Sequence, residues 1–101
     1  MKVKLDIGAY LPERAHPEDA GLDLRAMTGG WVHPGEHIVF DTGVHADIPV
    51  GHVGLVTSKS GLMAKGITCR GTIDSGYTGS IRAVLFNHGA EGYKVKGGDK
   101  I

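Results

Sequence analysis

The chain has 101 residues, of which 41% are apolar and 22% charged, and eleven basic side chains balance eleven acidic ones. This composition is that of a globular protein with one modest core and excludes a disordered chain. The balanced charge disfavours polymeric nucleic acid as a partner, because duplex-binding proteins present a basic patch or stripe. No segment approaches about 18 consecutive apolar residues, so we expect no membrane partner.

Cysteine and glycine content narrow the class further. Cys69 is the only cysteine, and the amino terminus lacks the apolar core of a signal peptide. We therefore expect a reduced thiol and a cytoplasmic location. Glycine supplies 17 of the 101 residues, which leaves no window for a long helix and predicts many short strands joined by tight turns.

The first half of the chain predicts strands separated by loops. Residues 2–7 alternate polar and apolar side chains, which predicts a half-buried strand. Residues 11–21 carry prolines and charges and predict a surface loop. Residues 31–33 and 37–41 flank Pro34-Gly35, a turn pair, and so predict a hairpin.

The second half continues the same pattern. We expect strands over 44–48 and 52–57, and one more that starts at residue 93. Residues 67–87 predict two or three strands, with bends at Arg70-Gly71 and at Asp74-Ser75-Gly76.

Only residues 60–66 predict a helix. Ser60 is a good N-cap, and Gly66 suits the left-handed position at the carboxyl end. Strands at intervals of eight to twelve residues around so little helix predict an all-β Greek-key or jelly-roll sandwich or barrel.

Ser58-Lys59-Ser60-Gly61 is the first candidate site. The start of a helix exposes unpaired backbone N–H groups, to which Ser60 adds a hydroxyl, Gly61 close backbone approach and Lys59 a positive charge. The combination suits an anion such as phosphate. Taken alone, simple capping of a short surface helix explains it better, because serine caps are common.

Asp74 and Tyr77 form the second candidate site, in the glycine-rich segment 71–79. An acid on a rigid turn suits a general base that orients water, and the ring suits a flat surface under a sugar. The alternative is an Asx turn beside a half-buried tyrosine.

Asp23, between two leucines, is the third candidate. It is either a solvent-exposed strand residue or an acid in the outer shell of a magnesium ion that keeps most of its waters. The coincidence of two acids, an anion site and an aromatic platform favours magnesium-assisted attack of water on a phosphate chain.

These motifs resemble those of the trimeric dUTPases, and the resemblance spans essentially the whole chain. Residues 20–26, 58–62 and 71–79 are similar to the family's first three motifs, and 98–101 to the opening of the fourth. The resemblance implies an all-β, distorted jelly-roll fold of the β-clip type with one short helix. It also implies one domain over 1–101, in a homotrimer with sites at subunit interfaces.

The resemblance further implies hydrolysis of dUTP to dUMP and pyrophosphate, with Mg²⁺ as cofactor. Asp74 would orient the water that attacks the α-phosphorus, Tyr77 would lie against the deoxyribose, and Asp23 would meet Mg²⁺ through water. Backbone groups around 68–71 would match the edge of uracil and reject cytosine, since mismatched polar groups stay unpaired. The implied substrate-binding residues are Lys59, Ser60, Gly61, Thr68, Gly71, Thr72, Ile73 and Tyr77.

Two departures from the family are visible. Its second motif usually reads Pro-Arg-Ser-Gly, and Lys59 keeps the charge but loses the planar fork of arginine. The family also continues well beyond the opening of its fourth motif. We therefore expect a chain that is incomplete at its carboxyl end relative to the family, and weak dUTP binding by a protein that ends at Ile101.

Two other functions stay open. A dCTP deaminase shares the architecture but needs a glutamate after the third motif, where 81–86 contain no acid. A non-catalytic, regulatory jelly-roll binding module is the alternative from a different class. The six histidines show no metal-ligand spacing, because Pro34-Gly35 keeps His33 and His37 off one helical face. We expect Cys69 to act as a small, buried apolar side chain.

Overall fold

The computed structural model describes residues 2–101 as an all-β chain with one helix of four residues. Its elements follow one another as short segments joined by turns and loops. They are β1 (Val3–Leu5), β2 (Gly30–Val32), β3 (His37–Asp41), β4 (Val44–Ala46), β5 (Gly54–Val56), α1 (Ser60–Met63), β6 (Ile67–Ile73), β7 (Arg82–Asn87) and β8 (Tyr93–Val95).

The strands form three antiparallel sheets. The largest has the order β3-β7-β6-β5, and the pairs β1-β4 and β2-β8 form two smaller sheets. Its central strands β6 and β7 are sequential and meet in the register Ile67 with Asn87 and Cys69 with Leu85. The expected all-β class is therefore confirmed.

The hairpin expected around Pro34-Gly35 is wrong. The turn itself forms, since the Glu36 N–H donates to the His33 carbonyl at 3.0 Å. However, β2 pairs with β8 and β3 pairs with β7. Asn87 explains the divergence, because its amide donates to the Val32 carbonyl at 2.8 Å while its own carbonyl accepts from the Gly35 N–H at 2.8 Å. Asn87 of β7 therefore bonds to the chain on both sides of the Pro34-Gly35 turn, where β2 and β3 would otherwise pair with each other.

Two further boundaries differ from expectation. β1 ends at Leu5 instead of residue 7, and Ile7 is fully exposed in the following turn. β6 runs unbroken through Arg70-Gly71, because Gly71 pairs with Val56 of β5. The bend expected at Asp74-Ser75-Gly76 is present.

The core consists of two apolar clusters. The larger contains Val32, Ile67, Leu85 and Val95 among its buried members, and the smaller consists of Val44, Ile48, Ile73 and Ile81. Val56 of β5 packs against both clusters. Cys69 is a free, buried thiol of the larger cluster, and burial raises its pKa, which fits the expected role as a small hydrophobe.

The helix is shorter than expected and its N-cap is Lys59, not Ser60. Ser60 is the first helical residue, and the Lys59 side chain makes no capping hydrogen bond. Gly66 has a φ of 84°, which confirms its left-handed conformation. Among residues 2–101 no helix has the length and hydropathy required to cross a membrane.

Candidate active site

The segments that carry Asp23 and Lys59 meet at one cavity of about 450 Å³. Asp23, Lys59 and Ser60 all line it, and Ile101 lies at its wall. The fold therefore brings the first and second motifs together, together with the last residue of the chain.

Asp23 lies between two lysines. One carboxylate oxygen lies 2.7 Å from Lys59 Nζ and the other 3.2 Å from Lys100 Nζ, and 18% of the side chain is exposed. Only the contact with Lys59 is a well-aligned hydrogen bond, because the buried Oδ2 of Asp23 has none. The Lys59 hydrogen bond, followed by Lys100, lowers the pKa of Asp23 against the opposing effect of burial.

Backbone pairing fixes this cluster in place. The Asp23 N–H donates to the Glu13 carbonyl at 2.7 Å, and Arg25 forms an isolated antiparallel bridge with Lys100. Lys100 was not predicted as a site residue, although the segment 98–101 resembles the opening of the fourth motif. The signal was weak, because a bridge of one residue pair leaves no pattern in the sequence.

The phosphate-binding turn expected at 58–61 is partly open. A Cβ on Gly61 would meet no atom within 4 Å, and Ser60 is exposed. The Ser58 hydroxyl instead points inward, where it donates to the Cys69 carbonyl at 3.0 Å and accepts from the Cys69 N–H at 2.8 Å. Ser58 thereby connects this turn to β6.

The third motif lines a second cavity of about 250 Å³. The Tyr77 N–H donates to the Asp74 carbonyl at 3.0 Å, which closes the turn. The Tyr77 hydroxyl donates to the Ser80 carbonyl at 2.6 Å, and 43% of Tyr77 is exposed. The lining includes the expected residues Gly71, Thr72, Ile73, Asp74 and Tyr77.

His45 holds the loop after this turn. One ring nitrogen lies 2.8 Å from the Thr78 carbonyl and the other 2.9 Å from a carboxylate oxygen of Asp6. Both partners accept hydrogen bonds, so the charged imidazolium, with two N–H donors, satisfies them best. The Thr78 contact, followed by Asp6, raises the pKa of His45.

The predicted residues thus fall into two neighbouring cavities. Val56 lines both of them. Gly61 and Thr68 line neither, and Thr68 Oγ1 is hydrogen-bonded to His88 Nε2 at 2.9 Å.

A metal ion at the first cavity would find two carboxylates, Asp19 and Asp23, and no complete cage among residues 2–101. Within residues 2–101 no group of three or more histidine, cysteine, aspartate or glutamate side chains is placed to hold a metal ion. Asp23 is paired with two ammonium groups, so it could contact a hydrated ion if Lys59 turned toward a phosphate chain that supplied the ion's other ligands. On that condition the donor set fits an outer-shell role for Asp23.

Comparison with known proteins identifies the family. The dUTPase family model matches residues 8–101. The deoxyuridine 5'-triphosphate nucleotidohydrolase of Nocardia farcinica is 41% identical over 103 residues, covering 97% of this chain and 62% of that protein. The enzyme of the same name from Mycobacterium avium is 44% identical over 104 residues, covering 98% and 68%.

Solved structures agree. A mutant dUTPase from phage phi11 of S. aureus, studied for the coordination of a structural Mg(II) ion, has a TM-score of 0.90 at 30% identity, covering 99% of this chain and 84% of that chain. The Staphylococcus bacteriophage 80alpha dUTPase with dUPNHPP has a TM-score of 0.91 at 29% identity, covering 99% and 77%.

The chain therefore belongs to the dUTPase family, and the family expected from its motifs is confirmed. Its fold is the expected distorted jelly-roll. The chain spans 62% and 63% of the length of the Nocardia and Rhodococcus relatives.

Proposed function

We propose that this chain hydrolyses dUTP to dUMP and pyrophosphate. The observation that carries the proposal is the placement of the three motifs in two cavities that share Val56. One cavity offers cationic and hydroxyl groups for phosphate, and the other offers an acid and an aromatic ring. This division fits a substrate with a triphosphate at one end and a nucleoside at the other.

In the proposed reaction Asp74 is the general base. It is exposed at the rim of its cavity, so water reaches it, and the backbone hydrogen bond from Tyr77 fixes its turn. Asp74 accepts the proton of the water that attacks the α-phosphorus, and pyrophosphate leaves. A positioned base of this kind contributes a factor of about 10² to 10⁴ in rate.

Substrate binding uses the remaining residues. Tyr77 lies against the deoxyribose, and the edge of β6 around Thr68, Gly71, Thr72 and Ile73 reads uracil. Lys59, Ser60 and Gly61 hold the phosphates. For Lys59 this requires an exchange of partners, because its ammonium group is paired with Asp23 in the free chain.

Mg²⁺ is proposed as the cofactor, with Asp23 as its contact through water. The ion would offset the negative charge of the triphosphate. Movement of Lys59 toward the phosphates would leave one Asp23 oxygen free for a hydrated cation, which supports the assignment of Asp23.

We also propose a homotrimer with its sites at the subunit interfaces, one domain over residues 1–101 and a cytoplasmic location. Membership of the dUTPase family supports the homotrimer. The free Cys69 thiol fits a reducing compartment. Native mass spectrometry of the purified protein gives the stoichiometry, and a monomer would contradict the interface.

The activity is tested by incubating the protein with dUTP and Mg²⁺ and following both products by ³¹P NMR. We expect dUMP and pyrophosphate in equal amounts, and no turnover of dCTP or dTTP. Release of orthophosphate instead of pyrophosphate would contradict attack at the α-phosphorus. Ammonia release from dCTP would identify a deaminase, and binding of dUTP without turnover would favour the non-catalytic module.

A further inference from the structure

Ser58 makes two hydrogen bonds with one backbone unit of β6. Its hydroxyl donates to the Cys69 carbonyl at 3.0 Å and accepts from the Cys69 N–H at 2.8 Å, in a partly buried position. A single hydroxyl thus replaces the two backbone groups that a paired strand residue would supply.

This contact lies between the end of the β5-β6 pairing and the start of the turn 59–61. β5 pairs with β6 only from Gly54 to Val56, after which the chain leaves the sheet. Ser58 makes the next link to β6, immediately before Lys59 and the start of α1. Lys59 itself makes no side-chain capping bond, so the start of the helix lacks that common anchor.

Cys69 lies in the middle of the strand that the proposed function assigns to uracil. It is buried and pairs with Leu85 on its other side. An unpaired N–H or C=O at this place would be costly, which gives the Ser58 hydroxyl one stable orientation.

We propose that Ser58 is a positioning residue that holds the phosphate-binding turn 59–61 against β6. It touches no substrate atom and acts through Lys59, Ser60 and Gly61. The inference rests on the proposed function, since it assumes that this turn binds the phosphates. Without the hydroxyl the turn samples more conformations, and phosphate ligands bear the entropic cost of ordering it.

The experiment compares Ser58→Ala and Ser58→Thr with the wild-type protein. Calorimetry measures the Kd of inorganic tripolyphosphate and of deoxyuridine, well below the melting temperature. We expect Ser58→Ala to weaken tripolyphosphate about 5- to 20-fold, the equivalent of one or two ordinary hydrogen bonds. Deoxyuridine affinity should change less than about 2-fold, and Ser58→Thr should restore phosphate affinity by keeping the hydroxyl.

Thr42→Val is the matched control for a purely structural effect. The Thr42 hydroxyl also makes two backbone bonds, donating to the Ile81 carbonyl at 2.6 Å and accepting from the Val44 N–H at 3.2 Å. Its loss should lower stability without a selective effect on tripolyphosphate. Amide hydrogen exchange at Leu62 and Met63 should accelerate in Ser58→Ala and not in Thr42→Val.

The results distinguish the positioning role of Ser58 from the proposed hydrolysis of dUTP. Equal tripolyphosphate affinity in Ser58→Ala and wild type, or equal weakening of both ligands, overturns the positioning role even if dUTP is hydrolysed. Absence of tripolyphosphate binding by the wild type also overturns it. Selective weakening together with no dUTP turnover supports Ser58 and contradicts the proposed reaction alone.

Discussion

The two cavities hold their acids in opposite ways. Asp23 is mostly buried and lies between Lys59 and Lys100, so its charge is compensated within the chain. Asp74 is exposed, on a turn that backbone hydrogen bonds and the Tyr77 hydroxyl fix. The first acid is stabilised in its charged form, whereas the second faces solvent.

This difference is consistent with the different tasks proposed for the two acids. A carboxylate with a lowered pKa stays ionised and suits electrostatic work beside cations and phosphates. A solvent-facing carboxylate on a rigid turn can accept a proton from water. The contrast predicts that the substitution of Asp74 affects chemistry, whereas the substitution of Asp23 affects stability, charge balance and the proposed contact with hydrated Mg²⁺.

The largest expected effect is that of Asp74→Asn. Loss of the base should lower kcat for dUTP by about 10² to 10⁴ while a non-hydrolysable dUTP analogue still binds. Steady-state kinetics and calorimetry check both parts. Asp47→Asn, at another exposed aspartate, is the control and should keep wild-type kcat. An Asp74→Asn protein with more than half of the wild-type kcat would end the assignment of the base to this cavity.

Gly61→Ala tests whether the turn 59–61 binds phosphate. A Cβ at this position meets no atom within 4 Å, and alanine favours a helix over glycine by up to about 1 kcal/mol. Stability should therefore stay equal or rise, whereas tripolyphosphate affinity should fall about tenfold, because the methyl group blocks close approach to the backbone. Thermal unfolding and calorimetry give the two values.

Gly76→Ala is the control for that substitution. It is equally open but lies in the turn of the other cavity, so tripolyphosphate affinity should not change. Unchanged tripolyphosphate affinity in Gly61→Ala would show that phosphate does not approach this part of the backbone.

Asp23→Asn should lower the free energy of unfolding by about 1–2 kcal/mol at pH 7, because it leaves two lysines without their carboxylate. The folded-state pKa is lowered from 3.8, so the stabilisation is present above that value and is lost as pH falls through the folded pKa. Urea unfolding of both proteins at pH 7 and pH 3 should therefore show a difference that shrinks at acid pH. A constant difference would point to packing instead of charge.

Local features of the sequence predicted the elements well and their partners poorly. The glycine pattern placed the turn at Asp74 where it lies, whereas the bend expected at Arg70-Gly71 falls inside the unbroken strand β6. Pairing depends on distant residues, so Trp31 faces Lys94 instead of a neighbour across Pro34-Gly35. The deciding contact, from the Asn87 amide to the Val32 carbonyl, has no local signature.

The candidate site shows the same contrast: its residues were predicted from the sequence, but their tertiary partners were not. The resemblance selected Asp23, Lys59, Asp74 and Tyr77, and the fold places them at cavities. It did not reveal the two-lysine environment of Asp23, because Lys100 arrives there through a single bridge to Arg25. Whether a charged side chain is compensated depends on tertiary approach, which spacing along the chain does not encode.

The smallest expected effect concerns His45, which holds the Thr78 carbonyl beside the exposed acid. Its pKa is raised from 6.5, with Thr78 as the main cause and Asp6 next, against the weaker effects of burial and of Lys4. The stabilisation is therefore complete below pH 6.5 and is lost as pH rises through the folded pKa. Melting temperatures between pH 5.5 and 9 should fall more steeply in wild type than in His45→Gln.

His52→Gln, at an exposed histidine bonded to its neighbour Val50, should keep the wild-type slope. Identical slopes in wild type and His45→Gln would mean that the imidazolium does not hold this loop, and that the exposed cavity keeps its shape through backbone hydrogen bonds alone.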